Sequence, residues 1–178
     1  MPNCADFSPS EDVVTQWNDT NTDIQSLVYN TLADPYIWQF EELIHTAVGQ
    51  VIATDSQYAT CNEYMHTMMF KPYSGTHSEW DDVLKTKHRR ICIIRAIESL
   101  NGIAVKFPDI LEVSGVGLTA AALERELMDL IMGGLVSGAI DSESQAVEVT
   151  GYIDLDVCEE RRAAADALLA KWLGRISV

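Results

Sequence analysis

The residues able to do chemistry are few and scattered. Four histidines, His45, His66, His77 and His88, and four cysteines, Cys4, Cys61, Cys92 and Cys158, are the side chains suited to a soft metal or to acid-base and nucleophilic work. Cys61 and His66 stand near each other, but the set matches neither zinc-finger pairs nor the HExxH helix. Ordinary surface or helix histidines are the simpler reading. The cysteines form no CxxC pair and no even ladder, so they read as reduced thiols of an intracellular protein.

Other catalytic patterns are missing too. There is no nucleophile elbow, and "GVGLTAA" from Gly115 lacks the Lys and the preceding apolar strand of a phosphate loop. Its glycines read more simply as a turn between two helices. The acidic pairs Glu41-Glu42, Asp81-Asp82 and Glu159-Glu160 are adjacent, and on a helix neighbours point about 100° apart, so they read as solvated faces. The sequence therefore assigns no catalytic residue, no cofactor and no metal ligand, and the chain is expected not to be an enzyme.

The elements that would carry such residues are mostly helices. Ser8-Pro9-Ser10-Glu11 forms a capping box, with Val13, Val14 and Trp17 following at helical spacing. Ile24, Leu27, Val28 and Leu32 mark a second helix. Asp34-Pro35 repeats the start signal before Ile37, Phe40, Leu43 and Ile44, a Gly49-marked loop follows, and a further helix spans Ser56 to Phe70. "KPYSG" breaks the pattern. Residues 1–85 thus read as a stack of short helices. Lys87 to Leu100 is apolar nearly all round, the mark of a helix buried between two layers.

The remainder has a different rhythm. An extended piece Ile103 to Val105, a helix near Pro108 to Val113 and a helix opened by Thr119 lead into "LVSGAIDSESQAVEV". There Ala139 to Asp141 and Ala146 to Val149 read as strands joined by Ser142 to Gln145. Gly134 falls on the apolar stripe of the preceding helix, which requires either a close backbone neighbour or an early helix end. Helix, strand, helix, helix, hairpin is the winged-helix order. Asp156 to Glu159 then caps a last amphipathic helix bearing Leu169, Trp172, Leu173 and Ile176.

Charge decides what such a module could bind. The 178 residues carry a net charge of -15, and Met1 to Phe70 holds ten acidic residues and no Lys or Arg. Reading duplex DNA draws on about six to ten phosphate contacts from cations. The helix from Thr119 to Ser137 offers only Arg125 against Glu124, Glu126 and Asp129, and the hairpin offers three acids and no base. The cluster Lys85, Lys87, Arg89 and Arg90 reads as a solvated helix start. Nucleic acid is disfavoured, and protein contact through an open sheet edge is expected instead. No apolar run approaches the roughly 18 residues of a membrane span.

Three stretches carry a family resemblance: "YIWQFEELI" (Tyr36 to Ile44), "HRRICIIRAIESLNGIAVKFPDILEVSGV" (His88 to Val116) and "LERELMDLIMGGLVSGAIDSESQAVEV" (Leu123 to Val149). In the last, Gly138, Ile140, Asp141, Val147, Glu148 and Val149 fall on the pattern of the PCI domain, the module shared by the proteasome lid, the COP-nine signalosome and an initiation factor. Within that family the chain is most similar to signalosome subunits of the seventh type. The resemblance runs from about Asp34 to Leu173 and departs at Gly133-Gly134. It also implies a longer C-terminal tail than the sequence carries.

The resemblance implies a mostly α fold: a short helical-repeat stack at 1–85, a winged-helix subdomain at 86–150 and a C-terminal amphipathic helix at 151–178. It implies a non-catalytic scaffold, cytoplasmic and nuclear, in the complex that removes a ubiquitin-like modifier from cullins. Partners would be other PCI subunits, met through Val147, Glu148 and Val149 on the hairpin edge and through Leu169, Trp172, Leu173 and Ile176 on the last helix.

Overall fold

Short polar side chains start most of the helices, each accepting a hydrogen bond from an amide that the first turn leaves free. In the computed structural model, which describes residues 7–75, 79–153 and 155, Ser10 caps α1 (Glu11–Trp17) and Asp23 caps α2 (Ile24–Ala33). The first cap lies two residues later than the capping-box reading, because the Ser8 hydroxyl is spent on Gln39, 2.7 Å away. Trp17 and Leu32 are fully buried where the two helices meet, and the Trp17 indole N–H donates to Thr31 at 3.0 Å.

The stretch after Asp34 departs from expectation. Ile37 and Phe40 are buried as the periodicity required, with Trp38 between them, but on non-helical chain; only Glu41–Ile44 is helical (α3). The Asp34 carboxylate accepts from the Tyr36 amide at 2.8 Å, and Trp38 pairs its amide with the Phe7 carbonyl at 2.9 Å. These bonds compete with a helix and hold the segment open.

Gly49 is not in a loop. It sits buried within α4 (Ala47–Thr54), capped by Thr46, where a Cβ would run into the carbonyl oxygens of Leu43 and Ile44. The absent side chain lets α4 fold tightly back on α3. A 3-10 turn at Ser56–Tyr58 then leads into α5 (Ala59–Phe70).

The long helix α6 (Asp82–Leu100) begins five residues before Lys87, at an Asp81 cap that bonds the Leu84 amide at 3.0 Å. Asp81 also accepts from the Tyr29 hydroxyl of α2. Together the Leu84 amide and then that hydroxyl hold the carboxyl below its ordinary range, so Asp81 is a structural anchor rather than a merely solvated acid. Leu84, Ile91, Ile93, Ile94 and Ile97 are all buried, and α6 packs against α2 on one side and α7 on the other. The sandwiched position follows from a helix with little polar circumference.

Beyond α6 come β1 (Ala104–Lys106), α7 (Phe107–Ser114), α8 (Ala120–Met132), β2 (Val136–Asp141) and β3 (Ala146–Tyr152). Gly134 resolves as an early helix end: it adopts φ 73°, and Gly134 and Leu135 return their amides to Ile131 and Leu130 at 3.1 and 2.9 Å. That double bond is a Schellman cap. Asp141 organises the hairpin loop, accepting from the amides of Glu143 and Ser144 at 3.1 Å. The sheet is antiparallel with strand order β1-β3-β2.

The chain is thus mostly helical with one small sheet. Among the described residues one apolar cluster runs from Trp17 and Leu32 through α6 to Leu127 and Val147. The division between residues 85 and 86 falls inside α6, and β3 extends two residues past 150. The last helix expected after Asp156 lies outside the described residues.

Candidate interaction surface

The strand order determines which backbone is available to a partner. Val147 stands opposite Val105 on β1 and Ile140 on β2, and Glu148 opposite Ala104 and Ala139. Val149 faces Gly138 on β2 and gives its amide to the Ile103 carbonyl at 2.8 Å. The strand bearing these residues is therefore the middle of the sheet, and the edge role expected for it is corrected. Val147 is fully buried and Glu148 exposed. The outer strands are β1 and β2, of which β2 is the longer. The hairpin alone made β3 look like an edge; β1, over forty positions earlier in the chain, covers it.

The cluster Lys85, Lys87, Arg89 and Arg90 is likewise not a solvated helix start. Arg89 meets the Glu126 carboxylate at 2.6 Å, and Arg90 meets Glu126 at 2.7 Å and Asp129 at 2.5 Å. Glu126 is mostly buried, its side chain 13% exposed. These pairs fasten α6 to α8 and neutralise both guanidinium groups within the fold. The outward face of α8 keeps Arg125 together with two exposed methionines, Met128 and Met132. A surface of that make-up suits a protein better than phosphate.

Lys87 is buried outright. Its ammonium donates to the Asp34 carbonyl at 2.5 Å and lies 5.3 Å from the Trp38 ring centre and 5.0 Å from that of Phe40. Burial pulls it from 10.5 down to about 7, the nearby Asp34 charge opposing only in part. The non-helical Asp34 to Phe40 segment thus packs around one side chain of α6. A buried position for Lys87 was legible only from its place on the apolar helix, four residues before Ile91.

The histidines and thiols do not converge. His88 is buried and donates its Nε2 proton to the Lys71 carbonyl at 3.1 Å, with Tyr73 and Trp80 rings at 5.7 and 5.4 Å. His66 is exposed and edges against Phe70, with 5.2 Å between ring centres. Burial pushes the Cys92 thiol up to about 11 and raises that of Cys61, which leaves both weak nucleophiles at neutral pH. Among the described residues no three His, Cys, Asp or Glu side chains gather as a metal site, and no helix is long and apolar enough to cross a membrane. His77, Cys4 and Cys158 lie outside the described residues, as do Leu169, Trp172, Leu173 and Ile176.

Comparison with models of known protein families finds no match, and a search of curated proteins finds none either.

Proposed function

We propose that the chain is a non-catalytic scaffold subunit built on a PCI domain, with a winged helix at its C-terminal half. The resemblance of its quoted stretches would make it similar to subunit seven of the COP-nine signalosome, the complex that removes a ubiquitin-like modifier from cullins. The observation that carries this reading is α6. One helix supplies buried residues to the helical stack before it and, as the first member of the helix, strand, helix, helix, hairpin series, to the strand, two helices and hairpin after it, within one core of the described residues. The quoted stretches His88 to Val116 and Leu123 to Val149 cover that series.

Two features favour protein partners. Arg89 and Arg90 are spent on Glu126 and Asp129, so the half that resembles a DNA reader has little cationic surface for phosphate. The outer strand β2 offers a backbone edge to an added strand. Other PCI subunits would then meet β2 rather than β3, with the terminal helix as a further contact, in the cytoplasm and nucleus.

Affinity purification of the tagged chain from its own cells, with nuclease present, followed by mass spectrometry, tests the reading. Recovery of a stoichiometric set with a zinc metalloprotease and cullin ligases is the expected result. Proteasome-lid or initiation-factor subunits would keep the fold and reassign the complex. A protein recovered alone, or released by the nuclease, would overturn the scaffold role.

A further inference from the structure

A cleft of about 160 Å³ opens in the N-terminal stack between α4 and α5. Trp17, Met65 and Met69 are buried in its wall, while Ala53, Asn62 and His66 stand exposed at it. We propose that this cleft receives one apolar side chain, about the size of a single aromatic ring, presented between lysines or arginines on a partner protein. The inference concerns the first 70 residues and does not rest on the C-terminal half being a PCI winged helix.

Size comes first. An apolar cavity of about 150 Å³ takes up benzene, so this one matches a phenyl, indole or branched aliphatic group. Its wall is soft, because unbranched methionines adjust their shape to an occupant. Its lining is mostly apolar, with Asn62 and His66 among the polar side chains that could orient a guest otherwise held by burial.

Charge then selects the guest's neighbours. The segments around the cleft hold exposed acids close in sequence to lining residues, Asp19 beyond Trp17, Glu42 before Ile44, Asp55 beyond Ala53 and Glu63 beside Asn62. No Lys or Arg precedes Lys71, whose ammonium lies 3.7 Å from Glu63, and the Arg95 guanidinium behind the wall donates to the Met69 carbonyl. An apolar hole in an acidic field attracts a cationic segment and repels anionic lipid or nucleic acid. The anchor supplies burial and its flanks supply the approach.

The test uses the full chain labelled at its methionine methyl groups and a peptide with one Trp between pairs of lysines. Titration followed by NMR should shift the Met65 and Met69 methyls with a sub-millimolar Kd. The same peptide with glutamates for lysines, or with Gly for Trp, should bind at least about tenfold more weakly. Ala53→Trp, at an exposed position, should fill the cleft, weaken the lysine peptide by about tenfold or more and leave Tm unchanged or higher; Asn62→Trp serves as a second plug should the first misfold. Unmoved Met65 and Met69 methyls, equal binding of lysine and glutamate peptides, or undiminished binding to a folded plugged variant would each overturn the proposal. So would a response to free indole with none to the peptide, since that marks a small-molecule pocket.

Discussion

Val105 on β1 lies directly opposite Val147 on β3, and both side chains are buried. This one pairing makes the hairpin's second strand the centre of a three-stranded sheet, with β1 and β2 as its outer strands among the described residues.

Replacing Val147 by Pro therefore tests packing, not partner binding. The substitution removes a ladder donor in a central strand and empties a fully buried site, and a loss of about 3 kcal/mol or more is expected. Circular dichroism melting should show a large drop in Tm. A variant with wild-type Tm would contradict the central placement.

Glu126 is the shared acceptor of Arg89 and Arg90, and Glu126→Gln keeps its shape while removing its charge. Arg89 would lose its counter-ion and Arg90 one of its two, at a cost of about 1–3 kcal/mol in urea unfolding. A double-mutant cycle with Arg90→Ala should return a coupling energy of about 0.5–3 kcal/mol. Additive effects would mean that the pair is only a surface contact.

Lys87 should make stability depend on pH in a distinctive way. Its ammonium falls to about 7 in the fold against 10.5 ordinarily, so between those values the unfolded chain binds more protons. The burden is full below about 7 and is relieved as pH rises toward 10.5. Lys87→Met should therefore be more stable than the wild type near pH 6, by about 1–4 kcal/mol, with the gap narrowing by about pH 9. Paired denaturation curves at the two pH values decide it: a gap that stays constant or widens with pH would show that Lys87 is not desolvated.

Gly49→Ala pits helix propensity against space. Alanine favours the helix by about 1 kcal/mol, but here its methyl meets the carbonyls of Leu43 and Ile44. A net destabilisation of about 1–3 kcal/mol is expected, since backbone must move to admit it. Thermal melts showing a stabilised variant would refute the close approach.

Much of the architecture was legible because it depends on local chemistry. Thr119 reads as a cap and proves to accept from the Ala122 amide at 3.3 Å, and Ser142 to Gln145 reads as a loop and turns as one. Apolar spacing placed Ile91, Ile94 and Ile97 in the core, where they are. Periodicity erred at Ile37 and Phe40, which are buried without being helical, since spacing reports burial and not the backbone path taken to reach it.

The surface was far less legible. Lys85 to Arg90 looks like a free cationic patch when only the helix bearing it is considered, yet Glu126 and Asp129 arrive from 36 to 39 residues away. Lys87 looks solvated until Asp34, Trp38 and Phe40 close around it.

By itself, the sequence determined that the chain is mostly helical, the start of α8 at Thr119, the hairpin loop and much of the membership of the core, because each rests on bonds or burial within a turn or two of chain. Only the tertiary structure decided that β3 is central, that α6 and α8 share their charges, and that α4 and α5 leave a cleft between them. Those outcomes require segments distant in the chain to meet, and neither propensity nor periodicity encodes which distant carboxylate, strand or ring will be the neighbour.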